Sequence, residues 1–289
     1  RQMCIRDRNL TISEKQKLRR LLEENYLPKN RVYRYNFFYD NCTTRARDII
    51  EKCIEGKVVY SEGKERLSFR DIVHQYTKGH EWDELGIDMC LGSEADKPID
   101  ARKQMFAPFY LLEAAKKATI VVGDSVRPLI LHEKKVVDVE PEDVREGFPL
   151  SPMVCVFILI GVTCFVGWLQ FKIRKIIWIW DLLLFGVQGL AGCVITFLVL
   201  FSTHPTVGSN WLILLLNPIP LIYLPVMVYR AIKGKKDYYH TINIVCLTSF
   251  MMIMPFIQQK FNVTVLPLAL CLLICSANHV LLYYRQNNK

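Results

Sequence analysis

The sequence predicts a chain in two parts: an α+β domain outside the membrane, then an all-α bundle of about five transmembrane helices. Three observations predict it. Charge is concentrated in residues 1–150 and thins out in the apolar stretches from Ser151 onward. Those stretches recur at bilayer-spanning length. The first half, by contrast, mixes helical and strand-like periodicities. The boundary falls in the Pro-rich run Gly147-Phe148-Pro149-Leu150-Ser151-Pro152, which divides the chain into residues 9–150 and 151–289.

A helix needs roughly 20 apolar residues to cross a bilayer. Five stretches qualify: Pro152–Phe171, Ile176–Phe201, Trp211–Tyr229, Thr241–Ile257 and Val263–Tyr284. Pro218, Pro220 and Pro225 predict a kink in the third. The connections differ in charge. Lys172, Arg174, Lys175, Arg230, Lys233, Lys235, Lys236, Arg285 and Lys289 fall on one side. The other side has only Lys260. The basic side is cytoplasmic, which places the preceding domain outside the cytoplasm and the C-terminus inside. This asymmetry accounts for much of the formal charge of +9. Nucleic acid is not an expected partner, since no zinc-finger spacing, phosphate-binding Gly loop or RNA-binding aromatic signature appears. Within the spans, Asp181 is expected to pair with Arg174 or Lys175 near the interface. Asn243, Asn278 and His279 are expected to bond neighbouring helices.

In the first half, Ser13 and Gln16 form a capping-box pattern ahead of an amphipathic helix bearing Leu18, Leu21 and Leu22, which Pro28 ends. Residues 31–39, with Val32, Tyr33, Tyr35, Phe37, Phe38 and Tyr39, read as a strand or extended segment. Ala46, Ile49, Ile50 and Cys53 then recur as a helical core stripe, and Gly56 stops the helix. Further on, Ser68 and Asp71 flank the start of a helix carrying His74, and His80 follows Gly79 in a turn. Pro108 opens a helix through Lys117. Ile120–Val122, Val126–Leu131 and Val136–Val139 read as strands.

Cys42 therefore sits at or just before a helix N-terminus. Backbone N–H groups and the helix dipole favour an anion there, which lowers a thiol's pKa and makes it a better nucleophile. Arg45, one turn on, would add positive potential. The alternative is a small packed cysteine of no chemical consequence. His74 and His80 are candidate partners for the thiol, or simply structural. With Cys4 left out, as part of the residues 1–8 set aside below, Cys53 and Cys90 complete an odd set of three cysteines, so at least one thiol stays free. No metal or cofactor motif is present, and no cofactor is expected.

The run Tyr33-Arg34-Tyr35-Asn36-Phe37-Phe38-Tyr39-Asp40-Asn41-Cys42-Thr43-Thr44-Arg45 resembles the signature of the Lnb family, also catalogued as domain of unknown function 4105. Leu91-Gly92-Ser93-Glu94-Ala95-Asp96-Lys97-Pro98-Ile99 with Gln104-Met105-Phe106-Ala107-Pro108 is similar too. So is Ser202-Thr203-His204-Pro205 with Asn210-Trp211 and Asn217-Pro218. The resemblance extends over nearly all of residues 9–289. It implies a permuted papain-like (NlpC/P60-like) periplasmic domain, partial here, on a multi-pass bacterial inner-membrane protein. Arg1–Arg8 resemble a translated sequencing-adaptor scar and are set aside. The natural protein is expected to begin upstream, where the family carries its catalytic His in a Gly-His motif.

The implied activity is lipoprotein N-acyltransfer. Cys42 would take an acyl chain from a phospholipid as a thioester and pass it to the α-amine of a lipoprotein's N-terminal cysteine. Tyr39, Asn41, Arg45 and His204 are candidate supporting or substrate-binding residues. Two rivals remain: a membrane-tethered cysteine peptidase or amidase, with water as acceptor, and a non-enzymatic scaffold in which Cys42 only packs.

Overall fold

A computed structural model describes residues 3–61, 66–137 and 148–287. In chain order its first elements are β1 (Met3–Arg8), α1 (Ile12–Tyr26), α2 (Cys42–Cys53), β2 (Lys57–Val59), α3 (Phe69–Thr77) and α4 (Glu81–Cys90). Then come α5 (Ala101–Gln104), α6 (Pro108–Lys117), β3 (Thr119–Val122), β4 (Ser125–Pro128) and β5 (Ile130–Val137). The helices α7 (Pro152–Ile173), α8 (Trp178–Phe201), α9 (Pro205–Gly208), α10 (Ile219–Ile232), α11 (Tyr238–Ile253) and α12 (Val265–Asn287) follow. Two compact units result. One comprises Arg1–Ile72 and Pro98–Arg145, the other Val73–Lys97 and Glu146–Lys289. The division is thus not a single cut near residue 150: the segment with α4 groups with the membrane helices.

In the first unit, β2, β3 and β4 form an antiparallel sheet in the order β2-β3-β4, and β1 pairs antiparallel with β5. The residues set aside as a scar thus include a paired strand, with Arg6 2.8 Å from Glu133 across it. Pro128 closes β4, so the expected strand over 126–131 is two strands meeting at Leu129. Val139, in the expected last strand, lies outside the described residues. The core is Cys53, Ile54, Ala118, Ile120 and Leu129, with Leu18 and Leu21 of α1 packed against it.

The cap of α1 differs from expectation. Thr11 is the N-cap and Glu14 the N3 residue, each bonding the other's backbone N–H. Glu14 wins because its carboxylate does more than cap. It is fully buried, accepts from the Glu55 backbone N–H at 2.9 Å and binds Arg127 at 2.6 and 2.7 Å. Ser13 donates instead to the Glu55 side chain. The expected stripe on α2 is also shifted: Thr43, Thr44, Arg47 and Cys53 are buried, whereas Ala46 is exposed. Gly56 has φ +105°, and a Cβ there would lie 2.2 Å from the Val121 carbonyl oxygen, so only glycine fits this exit from α2.

Among the described residues, the second unit has five segments long and apolar enough to span a bilayer: Pro152–Ile173, Trp178–Phe201, Pro205–Ile232, Tyr238–Phe256 and Val265–Gln286. They correspond to the five expected spans. The third is broken rather than kinked: a 3₁₀ turn over Trp211–Leu214 precedes α10, which Pro218 caps. Irregular backbone is tolerated at membrane depth only where protein satisfies it. Here Gln188 donates to the Leu215 carbonyl at 2.8 Å. Gly189 and Gly192 of α8 let Leu221 and Asn217 approach so closely that any Cβ would collide with their backbone.

Asp181 does not reach for the basic loop. It is fully buried and faces α12, where its carboxylate lies 2.8 Å from His279 Nε2 and accepts from Cys275 Sγ at 3.4 Å. A partner inside the bundle removes the need to snorkel. His279 also stacks on His240, with ring centroids 3.8 Å apart. Asn243 and His240 share Ser276 Oγ, at 2.9 and 3.3 Å.

Candidate active site

The segment ahead of α2 is a tight elbow, not a strand. Asn36 and Asp40 bridge through both backbone hydrogen bonds, and Asn36 Oδ1 accepts from the Phe38 and Tyr39 N–H groups. This Asx turn overrides the β preference of the aromatic run. The rings cluster instead: Phe38 packs against Phe69 and Phe106, at centroid distances of 4.5 and 5.1 Å.

Asn41 is the N-cap of α2. Its Oδ1 accepts from the Thr43 and Thr44 N–H groups, both at 2.9 Å. Its Nδ2 donates to the Phe37 and Phe106 carbonyls at 2.8 and 2.9 Å. Thr44 Oγ1 closes the box by accepting from the Asn41 N–H. Every polar atom of this buried side chain is thus used, and the Gln104–Pro108 motif supplies one of its acceptors. Sequence reasoning carried Asn41 only by resemblance, although an Asn followed three residues later by a Thr is a readable N-cap signal.

Cys42 is the first residue of α2, and it is exposed. No acidic residue stands in the helix's first turn. The Thr43 and Thr44 N–H groups are taken by Asn41, and the Arg45 N–H bonds the Asn41 carbonyl. Among the described residues, the Cys42 N–H alone of this first turn has no partner. Tyr35 lies beside the thiol; burial first, then the neighbouring Cys42, pushes its hydroxyl's pKa up. Arg45 does not lend Cys42 a free charge. It grips Asp40 through two bonds of 2.7 and 2.8 Å and lies over the Tyr33 ring at 3.4 Å. This pairing holds the Asp40 carboxyl below its ordinary pKa. Tyr39, Tyr35 and Phe37 are exposed and give the elbow an apolar rim.

The other two cysteines contrast with Cys42. Cys53 and Cys90 both have their thiol pKa raised, chiefly by burial. All ten cysteines are free thiols. The two candidate histidines have other partners: His74 Nε2 lies 2.9 Å from Asp88, and His80 Nδ1 3.7 Å from Asp83. Both stand in the second unit. Among the described residues of the Cys42 unit the one histidine is His132, on β5, and it has no bond to the thiol. Two donor sets able to surround a metal arise in the second unit, Asp181–Cys275–His279 and His74–Glu84–Asp88. Neither was read from the sequence: the first joins α8 to α12, and the second joins the consecutive helices α3 and α4 without a familiar ligand spacing.

Two of the sequence motifs meet within the second unit. The Gly92 N–H donates to the Thr206 carbonyl at 2.7 Å, and the Ser93 N–H to that of Ser209 at 3.2 Å. Asn210 Nδ2 donates to the Met89 carbonyl at 2.7 Å. Gln259, which sequence reasoning missed, joins both sides by donating to the Leu91 carbonyl and Asn210 Oδ1. A Cβ on Gly92 would lie 2.5 Å from the Ser209 carbonyl carbon, so the residue must be glycine for the strands of backbone to meet. His204 begins α9, but its side chain makes no cap bond.

The fold and site define a class: a multi-pass membrane protein whose α+β extramembrane part presents an exposed cysteine at a helix N-terminus. The chain belongs to the Lnb family: residues 1–78 match the Lnb N-terminal periplasmic domain, and residues 143–287 match the Lnb transmembrane domain. No curated protein and no solved structure matches it. The N-terminal domain is periplasmic. With five spans, the 174–177 and 233–237 connections and the end of α12 are then cytoplasmic.

Proposed function

We propose that this protein is a lipoprotein N-acyltransferase that works through a thioester on Cys42. Membership of the Lnb family suggests a membrane-associated role in lipoprotein processing. The observation that carries the finer reading is the exposed Cys42 on the first turn of α2, with its own N–H unpaired and an aromatic rim beside it.

In this reading the Cys42 thiolate attacks an ester carbonyl of a phospholipid. The C–S bond forms, the ester C–O bond breaks, and a lysophospholipid leaves with a proton from the general acid. The α-amine of the lipoprotein's N-terminal cysteine then attacks the thioester. A C–N bond forms, the C–S bond breaks, and the thiol returns. The Cys42 N–H is the donor for the oxyanion of both tetrahedral intermediates. Asn41, Asp40 and Arg45 hold the elbow, and Tyr39 with its neighbours seats acyl chain. His204, on the periplasmic connection after α8, positions head group or acceptor.

Incubation with a phospholipid radiolabelled in its acyl chains tests this. Label should become bound to Cys42 as a hydroxylamine-sensitive thioester and chase onto a lipopeptide amine. Label released only as free fatty acid would identify a hydrolase. No label on Cys42 in a protein that transfers acyl groups would overturn its role. His204→Ala should lower transfer while leaving Cys42 alkylation unchanged.

A further inference from the structure

On the opposite side of the membrane from the periplasmic domain, the helix ends surround a cavity of about 550 Å³. Its lining comes from the 174–176 connection, the 231–237 connection and α12. Five basic side chains, Arg174, Lys175, Lys233, Lys235 and Lys236, face one carboxylate, Asp237. Its Oδ1 accepts from the Tyr223 hydroxyl and the Tyr239 N–H at 3.0 Å, with Arg230 at 3.9 Å, and its buried Oδ2 has no hydrogen-bond partner among the described residues. Lys235 and Lys236 lie over tyrosine rings. Arg174, Lys175 and Lys233 have no ion-pair partner among the described residues.

A positive-inside bias explains basic residues in these connections. It does not explain why they converge on one concave space with a polar inner wall. That wall is His279. Its Nε2 is held by buried Asp181, which leaves Nδ1 as the ring nitrogen with no protein partner among the described residues. The rim is also built at a local cost. Arg174 caps α7 in the left-handed conformation, with φ 53°, the one non-glycine residue of positive φ among those described. Gln286 of α12 donates to its carbonyl and so ties the ends of α7 and α12 together. Unpaired guanidinium and ammonium groups around a half-closed, aromatic-walled space suit an anion with several acceptor oxygens.

The geometry points to a phosphate-ester site at the cytoplasmic end of the bundle, with Arg174, Lys175 and Lys233 gripping the phosphate and His279 reaching its inner side. The site opens at the level of the cytoplasmic leaflet, where an anionic phospholipid head group or a soluble phosphate ester presents the same chemistry. It is separate from the Cys42 chemistry and stands whether or not that reading holds.

The full chain, reconstituted in nanodiscs of phosphatidylglycerol or of phosphatidylcholine and released into detergent, tests this by native mass spectrometry. The expected result is one retained phosphatidylglycerol, little phosphatidylcholine, and a drop in retention of at least roughly tenfold in Arg174→Gln/Lys233→Gln. Both positions are exposed, and Lys172, Lys175, Lys235 and Lys236 still mark the cytoplasmic side, so orientation is preserved. Lys172→Gln, which lies outside the cavity, should retain lipid as the parent does. Displacement of the lipid by millimolar glycerol phosphate, with the same loss in the double variant, assigns the site to a soluble ester. Equal retention of both lipids, or unchanged retention in the double variant alongside an unchanged melting temperature, overturns the proposal.

Discussion

The two ends of α2 each carry a cysteine, and they differ in every respect that governs thiol chemistry. Cys42 opens the helix, exposed, where the dipole favours an anion and one backbone N–H stands free. Cys53 closes it, fully buried, with its Sγ donating to the Ile50 carbonyl at 3.1 Å. Burial, and then the charge of Glu14, push the Cys53 thiol up. Eleven residues along one helix thus take the same side chain from an exposed position at the helix start to a buried one at its end. Position relative to the helix ends and to solvent decides the outcome, and residue type does not.

The largest expected effect comes from deleting each sulfur in turn. Cys42→Ala should abolish acyl labelling of the protein, whereas Cys53→Ala should leave labelling intact and cost stability. Labelling that survives loss of Cys42 would break the comparison outright. Next, iodoacetamide should modify Cys42 at least about a hundredfold faster than Cys53 near neutral pH, since Cys42 is exposed and Cys53 is buried with its thiol pKa pushed up. Site-resolved mass spectrometry over a time course would measure the ratio. Folding raises the Cys53 pKa, so the unfolded state holds fewer protons there at alkaline pH. Stability should therefore fall as pH rises through the ordinary thiol range, and Cys53→Ala should remove that part of the fall.

A smaller effect is expected at Glu14, next to the buried end of α2. Burial raises its pKa, but the Thr11 N–H, Arg127 and the Glu55 N–H together bring it below the ordinary carboxylate value. A depressed carboxyl stabilises the fold above its unfolded pKa, and this is lost as pH falls through the folded value. Glu14→Gln should cost about 3 kcal/mol at neutral pH, because it leaves Arg127 without its partner. It should also flatten the acid limb of the melting-temperature profile. An unchanged acid limb would show that other carboxylates govern it. Smaller again is Asn41→Ala, at about 2 kcal/mol, for a lost cap and two carbonyls, one buried and one half-buried, that lose their donor. It should slow Cys42 alkylation without changing that of Cys53, which sharpens the contrast between the helix ends.

Much of this was legible in the chain. The five spans, the side on which the basic residues collect, the helix from Pro108 to Lys117 and the placement of Cys42 at a helix start all come from local patterns that water and lipid impose everywhere. The elbow was not. Six aromatic and β-branched residues argue for a strand, and one Asx turn at Asn36 outweighs them because the rings find partners in Phe69 and Phe106. Arg45 likewise promised positive charge near the thiol, and its bidentate grip on Asp40 removes it.

By itself, then, the sequence determined that this protein crosses a membrane five times, which way it faces, and that one cysteine heads a helix. These are consequences of burial preference and backbone hydrogen bonding read over short stretches. Only the tertiary structure decided that the Asn41 side chain also reaches the Phe106 carbonyl, which ties the start of α2 to the Gln104–Pro108 motif. It also decided that Gly92 meets Ser209, that Asp181 turns inward to His279, and that scattered basic residues enclose one cavity. Each depends on groups from distant parts of the chain competing for the same partner, and the winner is set by which of them the packed fold brings within bonding distance.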